Sequence, residues 1–313
     1  MELETVIGLE IHIQLKTKSK MFCSCNNAGE DLAPNTTVCP VCTGQPGVLP
    51  VPNREAIEWA VKTSLALNSK INPLSKFDRK HYFYPDLPKG YQISQYDLPI
   101  AEGGWVEIDT IDANDQPITR KINLVRLHAE EDAAKNIHGD DGSTYVDYNR
   151  GGTPLVEIVT QPDLKTPAEA KTFLQELQQI ARYLDISHAE MEKGHLRCDV
   201  NISLRPKGEN KFYAKTEIKN LNSFRMVERA LEYEIQRQTK LWAEGNPPTK
   251  LATRGWDDAT QTTIEQRVKE EAADYRYFPE PDIPPFKLEA VAEKMRALVP
   301  EMPATRRRRF VDE

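Results

Sequence analysis

Glutamate and histidine alternate with apolar residues in the first predicted strand, at a spacing that suits cation binding. Glu10, His12 and Gln14 share one face of this strand. The opposite face is apolar and consists of Leu9, Ile11, Ile13 and Leu15. Because residues two apart on a strand lie about 7 Å apart on the same side, Glu10 and His12 are able to address one site.

Later predicted strands repeat this division into a polar and an apolar face. Glu157 also interrupts the otherwise apolar strand predicted at 154–160. The polar residues of the other strands are Arg126, His128 and Glu130, then Arg197, Asp199, Asn201 and Ser203, then Lys215, Glu217 and Lys219.

These polar faces have two interpretations. They are the solvent-facing side of an antiparallel sheet, which is common, or they form one site with several carboxylates. Carboxylates that share a site repel each other unless they are protonated or bind a cation, and a magnesium ion carrying a nucleotide is a usual cation. The chain has neither a P-loop nor a dinucleotide-binding glycine motif, so a bound nucleotide would lie on the sheet.

Four of the five cysteines form a compact motif. Cys23 and Cys25 are followed, after residues 26–38, by Cys39 and Cys42. Four thiolates complete a tetrahedral zinc site with no open position, so the predicted zinc is structural. Two local disulfides are the alternative, but Cys23 and Cys25 are too close for good disulfide geometry. Cys198, on the apolar face of its strand, is predicted to be a core residue.

The elements that position these residues indicate an α+β fold with a mainly antiparallel sheet, because strands and helices do not alternate regularly. Helices are predicted from near Asn53, from the capping box Thr166/Glu169 and over 223–241. A long ordered loop is predicted over 77–91. Two short helical patterns follow the prolines at 279–285. Strands are predicted at 121–131, 154–160, 197–204 and 212–219.

Composition is that of an ordinary globular chain, and the net charge of −7 over 313 residues argues against nucleic-acid binding by bulk charge. Arg306, Arg307, Arg308 and Arg309 form a basic run, which is either a solvated helix face or a dock for a phosphate backbone. No stretch reaches the roughly 20 apolar residues of a membrane span. The acidic N-terminus is unlike a targeting peptide, so a cytoplasmic location without membrane contact is expected.

Long stretches of the chain carry a recognisable family pattern. They begin with VIGLEIHIQL at 6–15 and with FDRK followed by YFYPD at 77–86. They continue at 91–95, 128–133, 147–150, 196–206, 217–224 and 274–282. These stretches are non-repetitive and spread over nearly the whole chain. In them the chain resembles the B-subunit family of bacterial aspartyl/glutamyl-tRNA(Asn/Gln) amidotransferases.

The resemblance implies a fold similar to the catalytic cradle of glutamine synthetase and a specific reaction. ATP phosphorylates the side-chain carboxylate of misacylated Glu-tRNA(Gln) or Asp-tRNA(Asn), and ammonia then replaces the phosphate. The implied partners are a glutaminase A subunit that supplies the ammonia, a small C subunit and the tRNA. The implied cofactors are ATP, magnesium and a structural zinc. Use of one or both tRNAs stays open.

The family motifs, together with strand parity, assign candidate residues. Magnesium ligands are expected to be Glu10, His12, Glu131, Glu157, Asp199 and Glu217. Binding of the nucleotide is expected to use Glu157, Arg197, Asp199, Asn201, Glu217 and Lys219. The catalytic candidates are Glu10, His12, Glu130, Glu131 and Lys80.

Several of these assignments carry alternatives. Parity places Glu130 on the polar face, whereas the family pattern includes Glu131, and a β-bulge is able to bring both to one side. Glu131 would then serve the ammonia path as a base that accepts a proton from ammonium. Lys80, Tyr82 and Lys89 either line that path, hold substrate or pack the loop.

The expected domains are a cradle at 1–285, with the zinc loop at 22–43, and a short helical segment at 286–313. Family members continue into a helical domain and a tail that grip the tRNA, and this chain is expected to stop before both. Two further functions are weighed against amidotransfer. A non-catalytic platform for tRNA or a subunit would use the basic run at 306–309. A free-standing zinc enzyme is disfavoured, because four thiolates leave no open zinc position.

Overall fold

The structure, a computed structural model, describes residues 2–112, 114–269 and 274–312. The helices are α1 (Arg54–Ala66), α2 (Pro167–Tyr183), α3 (Phe224–Ala243), α4 (Glu289–Arg296) and α5 (Pro303–Asp312). The strands are β1 (Leu3–Gln14), β2 (Lys70–Ile71), β3 (Leu74–Ser75), β4 (Asp78–His81), β5 (Tyr91–Ser94), β6 (Ala101–Glu102), β7 (Trp105–Ile111), β8 (Pro117–Glu131), β9 (Lys135–His138), β10 (Thr144–Asp147), β11 (Pro154–Thr160), β12 (Leu196–Pro206), β13 (Thr216–Lys219), β14 (Leu251–Asp257), β15 (Thr262–Lys269), β16 (Phe278–Pro279) and β17 (Phe286–Lys287).

One large sheet organises these elements. Its strand order in the described ranges is β15-β14-β13-β12-β1-β11-β8-β6-β2, and β7 pairs with β8 beside this path. The pair β13/β14 is parallel, whereas β1 pairs antiparallel with both β12 and β11. The predicted α+β class is confirmed. The first predicted strand lies at the centre of the sheet, where its two faces meet different surroundings.

The apolar face of β1 lies in the core. Ile7, Ile11 and Ile13 have no exposed surface, and Leu9 is 1% exposed. The helices α1, α2 and α3 contribute residues such as Val61, Phe173 and Leu231 to the same core cluster. The odd-numbered residues of β1 therefore fix its register, because a one-residue slip would turn Glu10 and His12 into the core.

Side-chain caps start the three long helices where the sequence predicts them. Asn53 accepts a hydrogen bond from the Ala56 amide, and Ser223 accepts one from the Met226 amide. Thr166 Oγ1 accepts from the Glu169 amide at 3.1 Å. Each cap satisfies a backbone donor that has no partner within its own helix.

The segment 77–91 differs from the predicted continuous loop. Its ends form β4 and β5, which pair with each other, and β16 joins β4. The Arg79 guanidinium lies 4.3 Å from the Tyr91 ring centroid and pairs with Glu280. Charged and aromatic side chains thus stabilise a short sheet through contacts between residues far apart in the chain. Such contacts do not require apolar residues at regular spacing, so the sequence pattern did not predict these strands.

The strand predicted at 212–219 is also shorter in the structure. Only β13, Thr216–Lys219, is paired, and Phe212 is 66% exposed. With neither face of residues 212–215 buried, alternation alone does not fix a strand register there.

None of the helices in the described part of the chain is long and apolar enough to cross a membrane.

Candidate cation and phosphate site

The candidate site begins with a row of side chains across four neighbouring strands. In the antiparallel register, His12 on β1 lies opposite Arg197 on β12 and opposite Glu157 on β11. Glu157 in turn lies opposite His128 on β8. Directly opposite residues have side chains about 5 Å apart on one face, so four strands bring Arg197, His12, Glu157 and His128 into one line.

Glu10 and Glu130 extend this row into a compact cluster. His12 Nε2 lies 3.3 Å from Glu157 Oε2 and 3.4 Å from Glu130 Oε1. His128 Nε2 lies 3.2 Å from Glu157 and 3.3 Å from Glu130. One ligand atom from each of Glu10, His12 and Glu157 falls within a 4.8 Å limit, as does one from each of His128, Glu130 and Glu157. We call these five side chains, Glu10, His12, His128, Glu130 and Glu157, the carboxylate–imidazole cluster.

The two imidazoles balance the charge of the buried carboxylates. Burial disfavours charge on Glu130, yet the hydrogen bond from His128 lowers the pKa of Glu130 to about 2. Glu157 has a pKa well below its ordinary value, because the charges of His128 and His12 outweigh its burial. The same contacts outweigh burial in the other direction and raise the pKa of His128 to about 9. Burial and the charge of Glu157 raise the pKa of Glu10.

This donor set fits a divalent cation. Three carboxylates converge on one face, and Glu130 and Glu157 are only 2% and 5% exposed. Carboxylate oxygens suit magnesium or manganese, whereas an imidazole nitrogen such as that of His12 is a softer ligand than magnesium usually takes. Glu10, Glu157 and Glu130 therefore fit the predicted magnesium, and the nitrogen of His12 adds tolerance for manganese.

A second pair of carboxylates lies beside Glu10 on β12 and β13. Asp199 is directly opposite Glu10 and forms an ion pair with Lys219. Lys219 Nζ also lies 3.4 Å from Glu217, and Thr253 donates a hydrogen bond of 3.0 Å to the same carboxylate. Lys219 thus compensates both acids, and the structure places them next to the carboxylate–imidazole cluster rather than inside it.

Arg197 is held at the opposite edge by Asp132. Arg197 Nη2 and Asp132 Oδ1 are 2.9 Å apart, and Gln14 donates to the other oxygen of Asp132 at 2.9 Å. Burial opposes its charge, but Asp132 raises the pKa of Arg197. The guanidinium beside His12 is therefore fixed in place and always charged, as a phosphate-binding group requires.

Lys80, on β4, approaches the cluster from outside the large sheet. Its Nζ lies 4.8 Å from the Tyr275 ring centroid. Burial opposes its charge, but the carboxylates of Glu130 and Glu157 raise the pKa of Lys80. Lys80 thus presents a stable positive charge towards the carboxylates, as expected for a group that orients substrate or phosphate.

The four clustered cysteines come together as a separate group. Their sulfurs lie within 4.8 Å of one another, and those of Cys39 and Cys42 are 3.9 Å apart. Because zinc–sulfur bonds are about 2.3 Å long, sulfurs in a tetrahedral site are about 3.8 Å apart. All four cysteines are free of disulfides. The tetrad fits the predicted zinc ion.

The pKa values of the cysteines in the tetrad also favour a bound dication. Hydrogen bonds from Cys23 and the Cys39 amide, together with nearby Lys20, lower the pKa of Cys42 to about 4. Burial and the hydrogen bond with Cys39 raise the pKa of Cys25 to about 11. The protein alone thus favours one thiolate, and a dication is what allows four thiols to lose their protons together.

Comparison with known proteins decides the family. The model of the GatB/GatE catalytic domain matches residues 5–293. The chain belongs to this family. It is 54% identical over 318 residues to the B-subunit of the aspartyl/glutamyl-tRNA(Asn/Gln) amidotransferase of Moorella thermoacetica, covering 100% of this chain and 65% of that protein.

Other relatives give the same result. The proteins of that name from Gloeothece citriformis and Thermotoga petrophila are 54% and 53% identical over 320 and 319 residues, covering 100% of this chain in both cases. The chain spans 64% and 65% of their lengths. The family predicted from the sequence motifs is therefore confirmed.

Glu131 does not join the carboxylate–imidazole cluster of this family member. The bulge in β8 lies at Val125, before both glutamates, since Val159 pairs with Arg126 and Thr160 with Leu124. Glu130 and Glu131 therefore keep opposite faces. Glu131 forms a 2.6 Å ion pair with Lys89 and lines a small cavity. The expectation that Glu131 binds magnesium is not supported by this placement.

That cavity lies against the cysteine tetrad. Besides Glu131 and Lys89, its lining includes Phe22, Cys23, Cys42, Ile93 and Gly152. Glu131 is 2% exposed and also accepts a hydrogen bond from the Ile93 amide at 2.9 Å. Glu130 and Glu131 are thus neighbours in sequence that lie at two different places. Glu130 belongs to the carboxylate–imidazole cluster, and Glu131 lines the cavity on the other face of β8.

Two residues of the site were not singled out by sequence. His128 was placed on the polar face but not among the candidates, although its parity with Glu130 was the signal that could have found it. Asp132 follows the last residue of β8, where alternation ends. Its role depends on Arg197 and Gln14, which the sequence does not place beside it.

The basic run at 306–309 lies on α5, where Arg306 lies 5.5 Å from the Phe310 ring centroid and the other three arginines pair with acids. Arg307 pairs with Glu176 at 2.6 Å, Arg308 pairs with Glu107, and Arg309 lies 3.1 Å from Glu301. These contacts attach α5 to neighbouring elements, as a solvated helix face with surface ion pairs would.

Proposed function

We propose that this chain carries the ATP-dependent step of a tRNA-dependent amidotransferase. It would convert Glu-tRNA(Gln), Asp-tRNA(Asn) or both to the corresponding amide. The carboxylate–imidazole cluster, built on a sheet face of a GatB/GatE-family chain, is the observation that carries the proposal. A glutamine-synthetase-like cradle at 1–285, followed by a helical segment at 286–313, belongs to the same proposal.

The proposed reaction has two balanced steps. An oxygen of the aminoacyl side-chain carboxylate attacks the γ-phosphorus of ATP, and the bond from that phosphorus to the β–γ bridging oxygen breaks, giving an acyl phosphate and ADP. Ammonia nitrogen then attacks the acyl carbon. The carbon–oxygen bond to phosphate breaks, inorganic phosphate leaves with the electron pair, and a base takes the proton lost by nitrogen.

In the first step the protein supplies positioning and charge. Glu10, Glu157 and His12 would hold the metal ion, with Glu130 beside them. A bound magnesium ion would neutralise charge on the phosphates. Arg197 and Lys80 would orient the transferring phosphate and the substrate carboxylate.

Nucleotide binding next to these groups would involve the β12–β13 side of the face. Lys219, held between Asp199 and Glu217, would fix these acids at the nucleotide side, and Asn201 would offer an uncharged donor.

For the second step, Glu131 is the proposed base on the ammonia path. Its carboxylate is buried and paired with Lys89, on the other face of β8 from the carboxylate–imidazole cluster. Incoming ammonium would lose its proton there before neutral ammonia reaches the acyl carbon. The zinc tetrad would keep the wall of this cavity rigid. The proposed partners are the glutaminase A subunit, the small C subunit and the misacylated tRNA, in the cytoplasm.

The test assembles the chain with its partner subunits, glutamine, ATP and a misacylated tRNA. ADP and amidated tRNA should appear in equal amounts. Glu157→Gln should lower the rate of ADP formation by roughly 10²- to 10³-fold, as expected when one electrostatic contributor to a transition state is removed. The matched control is Glu265→Gln on β15, where the side chain is 57% exposed. An unchanged rate for Glu157→Gln, or ADP formation independent of the tRNA, would overturn the proposal.

A further inference from the structure

Lys20, which follows β1 in the chain, is buried completely beside the cysteine tetrad. Its side chain has no exposed surface, although lysine is among the residue types that are least often buried. Its ammonium nitrogen donates to the Tyr148 carbonyl oxygen at 3.2 Å and to Cys42 Sγ at 3.9 Å. One of these two neighbours is an uncharged carbonyl, and the other is a candidate zinc ligand.

The charge of Lys20 requires a counter-charge, because a buried ammonium group without an anionic partner is strongly unfavourable. In the described part of the chain its side-chain partners are the Tyr148 carbonyl and the Cys42 sulfur, and no carboxylate forms an ion pair with it. A second lysine near the tetrad, Lys89, is already paired with Glu131 at 2.6 Å. The tetrad is therefore the anionic group that can compensate Lys20.

A zinc ion held by four thiolates supplies this counter-charge. The zinc ion carries two positive charges and each thiolate one negative charge, so the loaded tetrad has a net charge of about −2. The ammonium of Lys20 offsets one of these charges at Cys42. The Cys39 amide donates to the same sulfur at 3.2 Å, and donors of this kind orient metal ligands and tune the metal.

Gly152 leaves room for the side chain of Lys20 next to the tetrad. A Cβ on Gly152 would lie 3.3 Å from Lys20 Cδ and 3.6 Å from Cys42 Cβ. Gly152 also has a φ of 87–89° in the left-handed region, which favours glycine. Its carbonyl accepts a hydrogen bond of 2.7 Å from the Met21 amide. These contacts enclose the lysine stem and fix the position of its ammonium group.

The alternative role for Lys20 is to satisfy the Tyr148 carbonyl. This carbonyl already has a donor, because the Gly151 amide lies 3.1 Å from it. Lys62 makes a comparable contact, in which its Nζ donates to the Leu184 carbonyl at 3.0 Å while the side chain stays partly exposed. Contact with a carbonyl thus does not require complete burial, and the sulfur distinguishes Lys20 from Lys62.

We propose that Lys20 is a positioning residue of the zinc site, where its ammonium group compensates the charge of the four thiolates through Cys42 and strengthens zinc binding. This proposal rests on the proposed function, which includes a structural zinc ion in the tetrad.

The test measures the zinc affinity of the full 313-residue chain by competition with a chromophoric chelator. Lys20→Met removes the charge, keeps an unbranched side chain and should weaken zinc binding roughly 10- to 100-fold, the range for loss of a group that supports a metal ligand. Lys20→Gln, which keeps a hydrogen-bond donor but not the charge, should weaken it as well. The matched control is Lys62→Met, which should bind zinc as the unmodified chain does.

A double-mutant cycle separates charge compensation from packing. Melting temperatures are measured by circular dichroism, with zinc present, for the unmodified chain, Lys20→Met, Cys25→Ser and the double variant. Lys20→Met should lower the melting temperature of the unmodified chain. In Cys25→Ser the ammonium group lacks the charge of the loaded tetrad, so Lys20→Met should leave the melting temperature unchanged or raise it.

The outcomes separate the two proposals. An unmodified chain that binds no zinc would overturn the zinc assignment in the proposed function. Zinc binding by the unmodified chain that Lys20→Met and Lys20→Gln leave unchanged would overturn the role of Lys20 alone. An equal fall in melting temperature with and without Cys25 would also overturn it, because Lys20 would then act through packing.

Discussion

Replacing Glu157 by glutamine should remove the charge that keeps His128 protonated. In the unmodified chain the carboxylates of Glu157 and Glu130 raise the pKa of His128 from about 6.5 to about 9. At about 1.4 kcal/mol for each pH unit, the charged ring is favoured by about 3 kcal/mol. That contribution to stability is complete below about pH 6.5 and is lost as the pH rises through about 9.

Glutamine keeps the shape of Glu157 but not its charge, and burial of the His128 ring still opposes protonation. We therefore expect the pKa of His128 to fall by at least about one pH unit in Glu157→Gln. The assay is a nuclear magnetic resonance titration of protein labelled only in its six histidines, in buffer without added magnesium. Magnesium added to the unmodified chain should lower the pKa as well, because a cation competes with the proton for the same carboxylates.

Glu131→Gln is the matched control for this titration. Glu131 is next to Glu130 in sequence, yet its side chain pairs with Lys89 and should not affect His128. An unchanged pKa of His128 in Glu157→Gln, or an equal fall in Glu131→Gln, would refute the assignment of the two faces of β8.

Two further predictions concern the cysteine tetrad and Glu131. Cys25→Ser should release the zinc ion and lower the melting temperature. The control is Cys198→Ala, which changes a buried cysteine outside the tetrad and should keep one zinc per chain by elemental analysis. A full zinc content in Cys25→Ser would disprove the tetrad assignment. Glu131→Gln should lower the rate of tRNA amidation with glutamine as nitrogen donor by roughly 10²- to 10⁴-fold, the range for loss of a general base. The rate of acyl-phosphate formation should stay near normal. An equal loss of rate in both steps would disprove a role of Glu131 confined to ammonia.

Alternation in the sequence was sufficient to place much of the candidate site. The apolar residues of β1 must face the core, so Glu10 and His12 had to share the other face. The same reasoning placed Asp199 and Glu217, whereas Glu157 was noticed as an acid within an otherwise apolar strand. The cysteine spacing likewise predicted a group of four sulfurs. The two cysteines of each pair, Cys23/Cys25 and Cys39/Cys42, are so near in sequence that they lie close together in space.

The sequence could not predict which side chains of different strands lie close together. Alternation could not show that His12, Glu157 and His128 lie directly opposite one another, since strand register depends on pairing across the whole sheet. The choice between Glu130 and Glu131 depended on where β8 is bulged. The strands β4 and β5 were missed because contacts such as that of Arg79 with Glu280 join residues far apart in the chain.

The central claim is that the β1 face binds a metal ion together with the phosphates of ATP. Pulsed electron paramagnetic resonance of manganese–ATP bound to the chain tests it most directly, because manganese replaces magnesium at oxygen-rich sites. We expect coupling of the manganese to phosphorus and to one histidine nitrogen in the same complex. The nitrogen signal should disappear in His12→Ala and persist in His138→Ala, which changes an exposed histidine on β9. A manganese–ATP complex that shows phosphorus coupling but the same nitrogen signal in His12→Ala, or none in any variant, would contradict the claim.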